Sequence, residues 1–212
     1  MQPTRPTHAA LAVVFAALAA AGCARDPGKD QPQAQTAAPA ASTAAAAGKT
    51  YVIAPGDSRV EFTGAKVTAS HDGAFQRFSG SVVIPDGKIE QGRVTVEIDM
   101  ASLAIDPPKL LGHLKSGDLL DVGSFPKTTF TSTTVAARGG GKYDVTGNLE
   151  LHGVKKSISF PADIALAGDV VTATAQFSIN RKDFGVVYPG MPDDLIKDNV
   201  LIKLTIKAPA KG

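Results

Sequence analysis

The chain carries three histidines after its N-terminal stretch, His71, His113 and His152. Histidine pairs that chelate a metal recur at i, i+4 on a helix or i, i+2 on a strand, and none of these does. No metal site is expected. His71 falls in Ala69-Ser-His-Asp-Gly73, which reads as a turn, and His152 precedes Gly153 near a hairpin. His113 falls in a helical stretch, where it could bond a polar ligand head or serve packing and capping. Arg181, in Asn180-Arg-Lys-Asp183, sits at a strand end, where it could pair with Asp183 or with a ligand anion. Asp183-Phe184-Gly185 spells the magnesium motif of kinases, but no catalytic loop or Gly-rich loop accompanies it. Asp193 and Asp194 are adjacent in a loop by composition, and sequence-adjacent acids do not make an acid–base pair. Gly48-Lys49-Thr50 lacks the first glycine of a phosphate loop, since Thr43 stands there. There is no Gly-x-Ser-x-Gly elbow. No catalytic residue is expected, and the chain does not read as an enzyme.

Composition narrows the remaining classes. Of 212 residues, 20% are charged and 43% hydrophobic, with a formal net charge of +2. That balance is ordinary for a globular domain and gives no field to hold or steer a nucleic acid. A single cysteine, Cys23, excludes a disulfide framework, an iron–sulfur cluster and a multi-cysteine zinc site.

That cysteine ends a segment with export character. Arg5 is followed by an apolar run from Ala9 to Ala21, short of the roughly 20 residues that span a bilayer as a helix. Ala20-Ala21-Gly22-Cys23 resembles a bacterial lipobox, with Ala20 in place of the more usual Leu. The resemblance implies a signal peptide over residues 1–22, cleavage before Cys23, and diacylglycerol and palmitate-type acylation there. Each buried CH₂ adds about 0.8 kcal/mol, so two or more chains anchor firmly. Ala24 in place of Asp points to the outer membrane, on the periplasmic side. A plain secretory signal with an incidental Cys23 is the simpler alternative.

Residues 23–48 are rich in Ala, Pro, Gln and Thr, and Ala24 to Gly48 contains no Leu, Ile, Val or aromatic residue. Such a stretch buries too little apolar surface to offset its ordering entropy, and it reads as a disordered tether. As a flexible coil it would span about 25–30 Å.

From residue 49 to 212 the pattern has period two. Val94, Val96 and Ile98 alternate with polar residues, as do Val145 to Leu151, Ile158 to Ile164, Val171 to Ile179 and Ile202 to Ile206. Each set gives a strand one dry and one wet face. Further strands are expected at Val60–Phe62, Phe78–Ile84 and Thr128–Val135, about eight in all. Pro85-Asp-Gly-Lys88 and Arg138-Gly-Gly-Gly-Lys142 supply hairpin turns, and no crossover helix follows a strand, so the sheet is antiparallel. Pro107-Pro108 opens a helical insert carrying Leu110, Leu111, Leu114 and Leu119. The strands could form a sandwich or close into a barrel. Gly147, Ala162, Ala173 and Ala175 on the inward face either let the walls collapse or leave a cavity.

Several segments resemble the YceI-like family: Tyr51 to Phe62, Phe75-Gln-Arg-Phe-Ser-Gly80, Leu149-Glu-Leu-His-Gly-Val154 and Ile179-Asn-Arg-Lys-Asp-Phe-Gly185. The most specific match is His113-Leu-Lys-Ser-Gly-Asp118, running on through Phe125-Pro126 to Phe130. The resemblance implies an all-β, eight-stranded antiparallel lipocalin-like β-barrel with a short helical insert. It also implies an elongated cavity for an isoprenoid of quinone or polyprenyl type, or a similar long lipid, and a periplasmic setting. Members are often homodimers. The family often carries Asp and His near its opening strand, where this chain has Ala54 and Asp57. Lining is expected from Phe62, Val82, Val96, Ile98, Phe130, Val145, Leu149, Phe160, Phe177, Ile179 and Leu204, with His113 and Arg181 as a polar mouth. No cofactor is expected besides a bound lipid. Three readings follow: a membrane-tethered lipid carrier; an envelope lipoprotein with a filled core acting through protein contacts; and an enzyme acting on a lipid head.

Overall fold

The computed structural model describes residues 24–41 and 47–212. The expected signal peptide and Cys23 lie outside the described residues. In chain order the elements are β1 (Gln35–Ala37), β2 (Lys49–Ile53), β3 (Arg59–Ala65), β4 (Ser70–Phe75), β5 (Phe78–Ile84), β6 (Arg93–Asp99) and β7 (Leu103–Ile105). Helix α1 (Pro108–Lys115) follows, then β8 (Lys127–Gly139), β9 (Lys142–Leu151), β10 (Val154–Ala167), β11 (Val170–Asn180), β12 (Gly190–Met191), β13 (Asp194–Leu195) and β14 (Asn199–Pro209).

Long strands form where β-branched and aromatic residues alternate with polar ones, and each ends at turn chemistry. Gly139 at the end of β8 and Gly140 and Gly141 in the turn to β9 all take positive φ, a region only glycine enters freely. Between β9 and β10 the turn is His152-Gly153, both at positive φ, as a tight hairpin of this type requires. Pro108 opens α1, where its missing N–H would have had no partner.

The sheet is antiparallel and strongly curled, in the order β2-β5-β6-β8-β9-β10-β11-β14-β3-β4-β7. It does not consist of eight continuous strands. The expected strands at Val60–Phe62, Phe78–Ile84 and Val94–Ile98 lie within β3, β5 and β6, but further short strands stand beside them. Pro55 and Gly56 part β2 from β3, and Gln76-Arg77 part β4 from β5. A 3-10 turn, Met100–Ser102, parts β6 from β7, capped where the Asp99 carboxylate accepts from the Ala101 amide at 2.8 Å. The sheet returns on itself at β14: Leu201–Thr205 pairs with β3, while β2 meets it through one bridge, Tyr51 to Ala210. The eight-stranded closed barrel expected from sequence is therefore corrected to a curled sheet of shorter, interrupted strands.

The tether expectation also changes. β10 pairs with β11 only from Asp163 to Ala167. Below that the two strands diverge, and the chain at 32–37 fills the gap. β1 pairs antiparallel with Ser157–Ser159 of β10, while Gln33 forms a parallel bridge to Ser178 of β11. The Ser178 amide donates to Pro32 O at 2.9 Å and the Ala34 amide to Ser178 O at 2.8 Å. Ala34 is buried among Ile158, Phe160, Phe177 and Phe184. Small residues carry this docking, since it rests on backbone bonds across a ready-made strand edge.

The two ends of the curled sheet differ. At one, Ile53, Ile84, Val171 and Ala208 are all buried beneath the 3-10 turns Pro85–Gly87 and Ile89–Gln91. At the other lie α1, the β12–β13 hairpin and the β3–β4 turn.

Candidate ligand cavity

Inside the curled sheet lies a cavity of about 540 Å³, lined almost wholly by carbon. That volume falls within the range of about 300–1,000 Å³ typical of small-molecule sites. Phe62, Val82, Val96, Ile98, Phe130, Val145, Leu149, Phe160, Phe177, Ile179 and Leu204 all line it, as the alternation places them. Leu110, His113 and Leu114 of α1, with Leu119 and Leu120 beyond it, complete the lining at one end.

The small inward residues divide into two kinds. Gly147 admits a ring: a β-carbon there would lie 2.5 Å from Phe130 Cζ. Ala162, Ala173 and Ala175 face open space and line the cavity. The phenylalanines form a wall and leave the interior open. Phe160 and Phe177 stack with centroids 4.1 Å apart, and Phe130 tilts against Phe160 at 5.8 Å.

The mouth is at the α1 end. His113 is 39% exposed there, with Nε2 3.5 Å from an Asp118 carboxylate oxygen and its ring against Tyr188. Val187 and Met191 are each 62% exposed on the same rim, and Leu195 lies beside them on β13. Asp194 ties this hairpin to the β3–β4 turn. It accepts from Lys66 Nζ, from the Thr68 amide at 3.1 Å and from Thr68 Oγ1 at 3.0 Å. The Lys66 ammonium above all holds the Asp194 carboxyl below the usual carboxylate range.

Arg181 touches the cavity but spends its guanidinium elsewhere. It is buried, and donates from Nε to Lys197 O at 3.1 Å, from Nη1 to Val186 O at 2.6 Å and from Nη2 to Ile196 O at 3.3 Å. Burial lowers its pKa, and the carboxylate of Asp198, 3.4 Å away, opposes that. Its ion partner is thus Asp198; Asp183 instead approaches Lys156 at 3.9 Å. The role visible in the structure is to hold the segment from Val186 to Asp198 against the sheet.

His71 lies on β4, paired with Gly64 of β3, and is not in a turn. A polar sequence, Ser-His-Asp-Gly, conceals a strand because β3 supplies its partner. His152 packs its ring on Phe125, centroids 4.6 Å apart. Among the described residues no group of three or more His, Cys, Asp or Glu is placed to hold a metal.

Thr128 and Tyr188 are among the lining residues that the sequence pattern did not single out. Thr128 lines the cavity, only 6% exposed, and its Oγ1 has no hydrogen-bond partner. The alternation with Phe130 could have placed it inward. Tyr188 lies in Val187-Tyr-Pro-Gly190, which has no period to read.

Comparison with known proteins agrees with this architecture. Residues 51–208 match the model of the YceI-like domain. A UPF0312 protein of Vibrio parahaemolyticus is 40% identical over 97 residues, covering 46% of this chain and 51% of that protein. A UPF0312 protein of Pseudomonas putida is 34% identical over 124 residues, covering 56% and 65%. The chain thus spans about half the length of the first of these relatives and under two thirds of the second. Among solved structures, Burkholderia cenocepacia BcnA superposes with a TM-score of 0.64 at 29% identity, over 71% of this chain and 96% of that one. A polyisoprenoid-binding domain from Saccharophagus degradans, implicated in plant cell wall breakdown, gives 0.63 at 18% identity over 76% and 98%. With a match that spans the curled sheet from its first long strand to its last, this chain belongs to the YceI-like domain family.

Proposed function

We propose that the chain binds a long apolar lipid of isoprenoid type, a quinone or polyprenyl compound, and holds or carries it without transforming it. The observation that carries this reading is the cavity: about 540 Å³, apolar along its length, buried at one end and rimmed by exposed residues at the other. An isoprenoid tail leaving water gains about 0.8 kcal/mol per buried CH₂, and the cost of ordering it offsets part of that. A carbon-lined tube selects length and width. The relative from S. degradans, described as polyisoprenoid-binding, supports the same ligand class.

The setting we infer is the periplasmic side of a bacterial envelope, with acyl chains on Cys23 as anchor, at the outer membrane. Mass measurement of the mature N-terminus tests the anchor: a diacylated or triacylated Cys23 is expected, and an unmodified cysteine would remove it.

Native mass spectrometry and organic extraction of protein purified from its own host test the ligand. A bound long-chain lipid is expected, and the same measurement reads whether the protein is a homodimer. Protein that emerges empty and ignores added ubiquinone and undecaprenyl phosphate would overturn the reading.

A further inference from the structure

We propose that the mouth of the cavity is a membrane-docking surface, its rim seated on a phospholipid bilayer. Three observations meet at one end of the molecule. The first is exposed carbon: Val187 and Met191 at 62% and Leu195 at 48%, three of the four large hydrophobic side chains that stand most exposed among the described residues. The second is the cavity opening beside them, since Tyr188, Met191 and Ile196 all line it. The third is where the chain arrives. The Ala24 amide donates to Val67 O at 2.7 Å, and the Val67 amide donates to Leu195 O at 3.1 Å. Ala24 is therefore fastened to the rim, one bond in the chain from Cys23.

If Cys23 carries acyl chains, the bilayer lies at the mouth, and the exposed rim residues meet its interface. Apolar side chains at that depth are stabilised by leaving water. A lipid tail could then pass between bilayer and cavity without crossing bulk water. The inference rests on the proposed anchor only for its geometry, and the test supplies that anchor chemically. It needs no cavity ligand, so an empty cavity would leave it standing.

The chain contains no tryptophan, so a single introduced one reports its own surroundings. The mature chain beginning at Cys23 would be coupled through that residue, the only cysteine in the sequence, to a maleimide headgroup in vesicles of phosphatidylethanolamine and phosphatidylglycerol with brominated acyl chains. Met191→Trp and, as a second rim reporter, Val187→Trp would be compared with Lys88→Trp at the opposite end. Bromine quenches only at contact with the acyl region. Loss of emission and a shift to shorter wavelength are expected at both rim positions and not at Lys88→Trp. Circular dichroism confirms that each variant is folded, and either rim reporter suffices. Rim emission unchanged from that in unbrominated vesicles, or quenching at Lys88→Trp as strong as at the rim, would overturn the proposal.

Discussion

His113 and Tyr188 meet edge to face across the mouth, ring centroids 5.2 Å apart and planes at 85°. One ring belongs to α1 and the other to the segment after β11, so this contact joins two elements far apart in sequence. An aromatic pair of this geometry contributes about 0.5–1.5 kcal/mol beyond its buried area. Tyr188→Ala should lower stability by about 1 kcal/mol. It should also speed release of a pre-loaded quinone to acceptor vesicles. His113→Phe keeps the ring and discards the contact with Asp118, so its release rate should stay close to that of the parent. If His113→Phe abolished binding, the imidazole would be acting on the ligand and the contact would not be structural.

Among the described residues Arg181 is the one buried cation, and its donors reach three backbone carbonyls. Its removal leaves those carbonyls without partners in a dry place. Arg181→Ala should cost about 2–4 kcal/mol in urea unfolding. Arg181→Lys should recover little, because an ammonium cannot present the planar fork that spans Val186, Ile196 and Lys197. The mouth hairpin should become protease-sensitive in both.

Asp194 should make the mouth acid-labile. Its folded pKa is depressed, chiefly by the Lys66 ammonium, so the unfolded chain takes up the proton first. Its contribution is fully present above the unfolded value, near 3.9, and is lost as pH falls through the lower folded one. The Val67 amide, bonded to Leu195 O, should then exchange faster below about pH 4. Asp99 is depressed as well, by Arg77, so a global melting curve mixes both groups and the local amide is the cleaner probe. In Asp194→Asn the extra acid sensitivity at Val67 should vanish. Its persistence would assign the effect to another carboxylate.

The lining was legible because a strand has period two. Once Val94, Val96 and Ile98 alternate with Arg93, Thr95 and Glu97, one face must be dry, whatever the topology. The openness of the interior was not legible. Gly147 and Ala175 look alike in a pattern, yet one receives the Phe130 ring and the other faces space. That outcome depends on which large residue stands opposite, and pairing register is a long-range property. The role of Arg181 was hidden for the same reason, since its carbonyl partners lie on a returning segment. The docked stretch at 32–37 was invisible because its bonds are backbone bonds and its composition argued only entropy.

Thr128 sets up a distinction between ligands. Its buried hydroxyl has no partner, which leaves a donor unsatisfied at a cost of about 1–3 kcal/mol. Thr128→Val is nearly isosteric and should stabilise the empty protein by about 1 kcal/mol in thermal unfolding. If a ligand oxygen bonds this hydroxyl, the same variant should weaken a quinone about tenfold, or about 1.4 kcal/mol. A matched hydrocarbon tail should bind unchanged. Equal loss for both ligands would mean that Thr128 serves packing alone.

The segment at 32–37 fills the gap between β10 and β11. Ala34 is 5% exposed and faces Phe160 and Phe177, so a carboxylate there cannot remain in place and stay charged. Ala34→Asp should expel residues 32–37 from the wall while the rest of the sheet, held by its own ladders, stays folded. The sharpest readout is the Ser178 amide, which donates to Pro32 O in the docked state. Its hydrogen exchange should accelerate strongly in Ala34→Asp, whereas the amides paired between β11 and β14 should keep their protection. Asn148 reports the same event from the other side: its side chain bonds Ala40 at both ends, amide to carbonyl at 2.8 Å and carbonyl to amide at 3.0 Å. Asn148→Ala should raise exchange at Ala40 first and at Ser178 less, because the contact at Ala34 remains. Unchanged protection at Ser178 in Ala34→Asp would mean that the wall closes there without the N-terminal segment.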